Sequence, residues 1–136
     1  MDLRETLCAA EWAYFTDEER GVKGNKNLII CERGTVHFNT HMRWTLDIAM
    51  VPSFKHISHV PIVVDISHGT GGEGNTAYYK DLARAVVAAG ADGLMVEVHP
   101  EPSNSLSDAA QTISLDEFKE LVEYIRPVVN AVGKIL

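Results

Sequence analysis

Cysteine is scarce in this chain. Cys8 and Cys31 are the only two, they lie far apart, and no C-x-x-C spacing occurs. They do not suggest a disulfide framework. Positive charge is also short. The net charge is −7, whereas a nucleic-acid backbone calls for a basic patch. No apolar run approaches the ~20 residues that span a bilayer, and no basic stretch leading into an apolar one opens the chain. The expectation is a cytoplasmic protein that binds neither nucleic acid nor membrane. Linkers, low-complexity tracts and internal repeats are missing too. The 136 residues suffice for one compact domain, 1–136, and are too few for two.

What is present is alternation. Leu3, Leu7, Ala10 and Tyr14 share one face of a helix predicted over Leu3 to Phe15. Gly21, Gly24 and Asn25 then break the chain. "NLIICERG" is a short apolar run ending in charge, a strand. "HMRWTLDIAMVPSFKH" reads as a helix bent or stopped near Pro52. "VPIVVDISHGTGG" is a second strand running into glycines. "TAYYKDLARAVVAAG" is a helix ended by Gly90, and "ADGLMVEV" is a third strand. The last helix begins at Ser114, with Glu117 three residues on forming a capping box.

The order α-β-α-β-α-β-α predicts an α/β fold with three parallel strands and four helices. Parallel strands put their carboxyl ends on one side, where such folds bind ligands. Here those ends carry Glu32-Arg33-Gly34, Asp65-Ile66-Ser67-His68 and Glu97-Val98-His99. A closed barrel needs eight strands and about 250 residues. Three strands therefore make either a small open sheet or part of something larger.

His68, Glu97 and Asp108 are the candidate constellation. An imidazole and two carboxylates suit Mn²⁺, Fe²⁺ or Zn²⁺. Adjacent strands lie about 4.8 Å apart, so His68 and Glu97 can share an ion if their strands are neighbours. The plainer alternative is two solvated loop acids and a hydrogen-bonded histidine. Arg33 offers a fork to phosphate or carboxylate, or else pairs with Glu32 or another surface acid. "HGTGGEG" has backbone donors for an anion but no Walker-type lysine, and a flexible connection is the simpler reading. His37, His41, His56 and His59 are not expected as ligands, and His99 is at most a support for Glu97. Cys31, on the same side of its strand as Arg33, reads as a buried packing thiol.

As a set, "IICERGT", "WTLDIAMVP", "VVDISHGTG", "ARAVVAAGADGLMVEVHPEP" and "SLSDAAQT" resemble the type I 3-deoxy-D-arabino-heptulosonate 7-phosphate (DAHP) synthases, in the group close to the 3-deoxy-manno-octulosonate 8-phosphate synthases. The resemblance covers nearly the whole chain. It implies the C-terminal segment of a (β/α)8 TIM barrel that condenses phosphoenolpyruvate with erythrose 4-phosphate in aromatic amino-acid biosynthesis. It also implies a divalent metal held by a cysteine, a histidine, a glutamate and an aspartate. The last three match His68, Glu97 and Asp108, and the arginine of the family's "CERG", which helps bind the phosphate of phosphoenolpyruvate, matches Arg33. Mn²⁺ is the first choice, with Fe²⁺, Zn²⁺ or Co²⁺ as alternatives. The catalytic roles implied fall on Arg33 and His68.

The departures set further expectations. The strands that carry the family's cysteine ligand, its "KPR" loop and its phosphate-binding lysine lie outside this sequence. Glu73-Gly74-Asn75 stand near the place of an arginine pair, His37 stands for another arginine, and Ile66 replaces the proline of "DPSH". The isolated chain is expected to be an incomplete, inactive enzyme that self-associates or pairs with a complementary N-terminal barrel chain. The alternative is a non-catalytic truncated barrel module acting in assembly or binding.

Overall fold

The computed structural model describes residues 2–38, 42, 44–70 and 75–136, with Asn75 and Thr76 as backbone only. Helix α1 spans Leu3–Tyr14, strand β1 Ile30–Glu32, α2 Met50–Ile57, β2 Ile62–Asp65, α3 Tyr79–Ala88, β3 Gly93–Met95 and α4 Leu115–Ala131. Short 3₁₀ turns follow β2 at His68–Thr70, precede α3 at Asn75–Tyr78 and follow β3 at Pro102–Asn104. The strands form one parallel sheet in the order β1-β2-β3. The fold class expected from the alternation is the one observed.

Local chemistry sets the helix ends. At α4 the Ser114 hydroxyl accepts the Glu117 N–H and the Glu117 carboxylate accepts the Ser114 N–H, each satisfying a donor the helix cannot. At α1, Asp2 and Glu5 form the same reciprocal pair. Gly90, just past α3, adopts φ 101°, a left-handed conformation that costs glycine nothing.

The sequence reading of the 41–56 stretch needs correction. Helix α2 starts only at Met50 and runs through Pro52 to Ile57. Proline is tolerated there because an N–H in the first turn has no intrahelical acceptor to lose. His41 and Arg43 lie outside the described residues.

Alternation along the sheet separates two faces. Ile62, Val64 and Ile66 are fully buried with Val51 and Phe54 of α2 and Val86 of α3, and Leu121, Ile125 and Val129 of α4 complete the core. Across the register, Cys31 aligns with Val63 and Val63 with Gly93, while Asp65 aligns with Met95. This second face is open: Met95 is 46% and Ile29 63% exposed. Cys31 is exposed too, so the expected buried thiol is wrong. It belongs to the side of the sheet that carries Ile29 and Met95 rather than the core residues.

Candidate metal and anion site

Because β1, β2 and β3 are parallel neighbours, their polar ends meet on one side of the sheet. The turn after β2 is built on Asp65, whose side chain is 1% exposed. Its Oδ1 accepts the N–H groups of Ser67, at 3.1 Å, and His68, at 2.9 Å. Its Oδ2 lies 2.7 Å from His68 Nδ1. The imidazole is thereby aimed so that Nε2 stands 3.4 Å from Glu97 Oε1 and 3.8 Å from Asp108 Oδ2.

Glu97 follows β3, and its N–H donates to Ser67 Oγ at 2.9 Å. The chain then leaves the sheet and returns. Ile113 N–H donates to the Glu97 carbonyl at 3.0 Å, His99 N–H donates to the Ile113 carbonyl at 2.9 Å, and Val98 and Ile113 form a parallel bridge. This closure brings Asp108 back over the strand ends. Asp108 has φ 52°, the only positive φ among the described non-glycine residues. Such a conformation is uncommon and gathers at functional positions. It is braced by three donors to the Asp108 carbonyl: the Gln111 and Thr112 N–H groups and the Thr112 hydroxyl.

His68, Glu97 and Asp108 each present one ligand atom, all within 4.8 Å of one another. An ion held at about 2.1 Å from each of three donors keeps them roughly 3–3.5 Å apart, so the distances from Nε2 fit an ion after a small closure. One nitrogen and two oxygens suit the borderline divalent metals.

Arg33 leaves β1 beside this group. Its Nε lies 3.8 Å from Asp65 Oδ2, and its side chain is 60% exposed, so most of its donor fork faces solvent. It is not paired with Glu32. That carboxylate accepts the Gly34 and Asp47 N–H groups at 3.0 and 3.2 Å instead. Although the Cys31 residue is exposed, its thiol is partly desolvated, and that first, then the charges of Asp65 and Glu32, raise its pKa. A thiol held protonated is a poor nucleophile.

The expected support of Glu97 by His99 is not observed. His99 Nδ1 meets the backbone of Glu101, while Thr112 Oγ1 approaches Glu97 Oε2 at 3.4 Å. Asp65 and Thr112 are therefore the site residues that sequence reasoning missed. An aspartate three residues before a histidine is a turn-forming pattern that points to the first. Thr112 carries no comparable signal. Glu73, expected near the second substrate, and the rest of 71–74 lie outside the described residues.

Fold and site together define a parallel α/β chain with its candidate site at the carboxyl ends of its strands. It belongs to the DAHP synthetase I family, whose model matches residues 3–131. Over 110 residues it is 46% identical to phospho-2-dehydro-3-deoxyheptonate aldolase of Thermotoga maritima, covering 81% of this chain and 32% of that protein. Over 113 residues it is 32% identical to 2-dehydro-3-deoxyphosphooctonate aldolase of Geobacter sp. (strain M21), covering 77% of this chain and 40% of the relative. The crystal structure of the Thermotoga maritima aldolase, a DAHP synthase, superimposes with a TM-score of 0.84 at 40% identity over 98% of this chain and 36% of its own. A truncated form of the Thermotoga maritima synthase gives the same score and identity, with 47% of its chain covered. This chain thus spans about a third to a half of these relatives.

Proposed function

We propose that this chain forms, as the single partial barrel domain 1–136, the metal- and phosphate-binding portion of a DAHP synthase of the cytoplasm. The reaction is condensation of phosphoenolpyruvate with erythrose 4-phosphate, with release of phosphate, in the shikimate route to aromatic amino acids. The observation that carries this reading is the convergence of His68, Glu97 and Asp108 from three separate stretches of sequence onto one point. The heptulosonate product is preferred over the octulosonate because identity to the heptonate relative is higher, 46% against 32%.

In this reading His68 Nε2, Glu97 and Asp108 hold a divalent ion, Mn²⁺ first, with Fe²⁺, Zn²⁺ or Co²⁺ able to replace it. A bound ion supplies Lewis-acid polarisation of the aldehyde carbonyl and orients the substrates. Arg33 presents its exposed fork to the phosphate of phosphoenolpyruvate, at a distance from the ligands set by the parallel register of β1 and β2. Asp108 and Glu97 keep two negative charges beside the ion, which favours a divalent over a monovalent cation.

Catalysis needs groups on both substrates held at once. The described residues offer three ligand side chains and one anion fork on an open sheet. The remaining strands, on this polypeptide or another, therefore have to complete the site. The open inner face also supports a second reading, a non-catalytic segment that acts in assembly. A phosphate-release assay with both substrates and Mn²⁺ separates the two. The 136 residues alone are expected to give no turnover. Addition of the remaining barrel strands should give turnover that is lost in Arg33→Ala and His68→Ala. Failure of the completed barrel to turn over leaves the assembly reading.

A further inference from the structure

We infer that Asp65 is a positioning residue that sets the His68 tautomer so that the ring presents a bare Nε2 to the metal. The inference rests on the metal reading above and goes beyond it. Asp65 is not itself a ligand, since its carboxylate is committed elsewhere. Oδ1 takes two backbone donors from its own turn and Oδ2 faces His68 Nδ1 at 2.7 Å. A carboxylate only accepts hydrogen bonds, so the proton of this contact sits on Nδ1. In the neutral ring, the form that can ligate a metal, the other nitrogen is then the lone-pair nitrogen, and it is the one that points at Glu97 and Asp108. With the opposite tautomer an N–H would point at those two carboxylates and block coordination.

The geometry also explains why the residue is an aspartate. The two backbone donors at Oδ1 fix the plane of the side chain, and burial leaves it no alternative position. Asp65→Asn therefore has a defined outcome. Its amide oxygen has to stay with the two N–H donors, because an NH₂ group there would face them donor to donor. The NH₂ then meets Nδ1, forces that nitrogen to accept, and moves the ring proton to Nε2. The Asn variant keeps the turn and inverts the tautomer.

The test uses the 136-residue protein with ¹⁵N-labelled histidine and Mn²⁺ as probe. In metal-free protein, at a pH where the ring is neutral, long-range ¹H–¹⁵N spectra should show the His68 proton on Nδ1 in the wild type and on Nε2 in Asp65→Asn. Mn²⁺ titrated by calorimetry should bind the variant about ten- to a hundredfold more weakly. Glu97→Ala should lose Mn²⁺ yet keep the wild-type tautomer. A wild-type ring with its proton on Nε2 overturns the inference without recourse to any variant. So does a folded Asp65→Asn that binds Mn²⁺ like wild type. No Mn²⁺ binding by the wild type, with the Nδ1–H tautomer present, instead overturns the metal reading and with it the purpose assigned to Asp65.

Discussion

The Thr112 hydroxyl lies 3.0 Å from the Asp108 carbonyl oxygen and 3.4 Å from Glu97 Oε2. One short side chain thus braces the backbone that carries one candidate ligand and touches the carboxylate of a second. Its single proton serves one of them at a time, and the shorter contact is to Asp108, whose φ of 52° needs such support. Thr112→Val keeps the shape and removes the donor. A hydrogen bond of this kind contributes about 1 kcal/mol, so Mn²⁺ affinity should fall about fivefold. Thr112→Ser should restore it. Calorimetric affinities for the three proteins decide the matter, and equal values across them would mean that the hydroxyl is spectator to the site.

The ligands themselves should behave differently from their supports. His68→Ala and Glu97→Ala each remove one of three donors, and each is expected to abolish the Mn²⁺ calorimetric signal rather than weaken it. If both variants titrate like wild type, the ion is held elsewhere.

At the opposite end of the sheet, Asp92 ties together α2, β2 and the segment after α4. It accepts from Lys55 Nζ, from Lys134 Nζ at 3.1 Å and from the Ile62 N–H at 3.1 Å. Burial by itself raises its pKa, but the bonds from Lys55, Ile62 and Lys134 outweigh it and bring the value down to about 2. A folded-state pKa below the unfolded one means stability that is present above pH ~4 and is lost as pH falls toward 2. Since the lysines are partly exposed, the contribution is about 1–2 kcal/mol. Asp92→Asn should therefore cost that much in urea unfolding at pH 7, and the gap to wild type should close on acidification. A gap that stays constant with pH would assign the loss to packing.

Elements fixed by local chemistry were legible in the sequence. The Ser114–Glu117 box and Gly90 act within a few residues of themselves, so their letters suffice. His68, Glu97 and Asp108 were legible through motif resemblance, and their meeting depends on strand order, which spacing alone does not encode. The exposure of Cys31 and the start of α2 at Met50 were misread for one reason each. Strand residues look alike whichever face is covered, and Pro52 has the same letter in a first turn as at a helix stop. Asp65 was visible as a strand-end acid, but its task is a contact with Nδ1 that only the folded turn creates.

The open face carries the last expectation. The protein has 8830 Å² of solvent-accessible surface, whereas a compact monomer of its 15.0 kDa mass exposes roughly 7000 Å². The excess is about twice the roughly 800 Å² that each partner buries in a standard interface. Part of it is Ile29 and Met95 on the uncovered side of the sheet. Among the described residues β1 and β3 are both edge strands with unpaired backbone groups, and such edges recruit further strands. The 136-residue chain alone is therefore expected to sediment as a dimer or larger species at micromolar concentration. Ile29→Lys places a charge on the exposed side of the sheet at the amino end of β1, away from His68, Glu97 and Asp108 and outside the buried core, so it should shift the distribution toward monomer while Mn²⁺ binding persists. A wild-type chain that sediments as a folded monomer across that range would show that the exposed face and edges are tolerated by water as they stand.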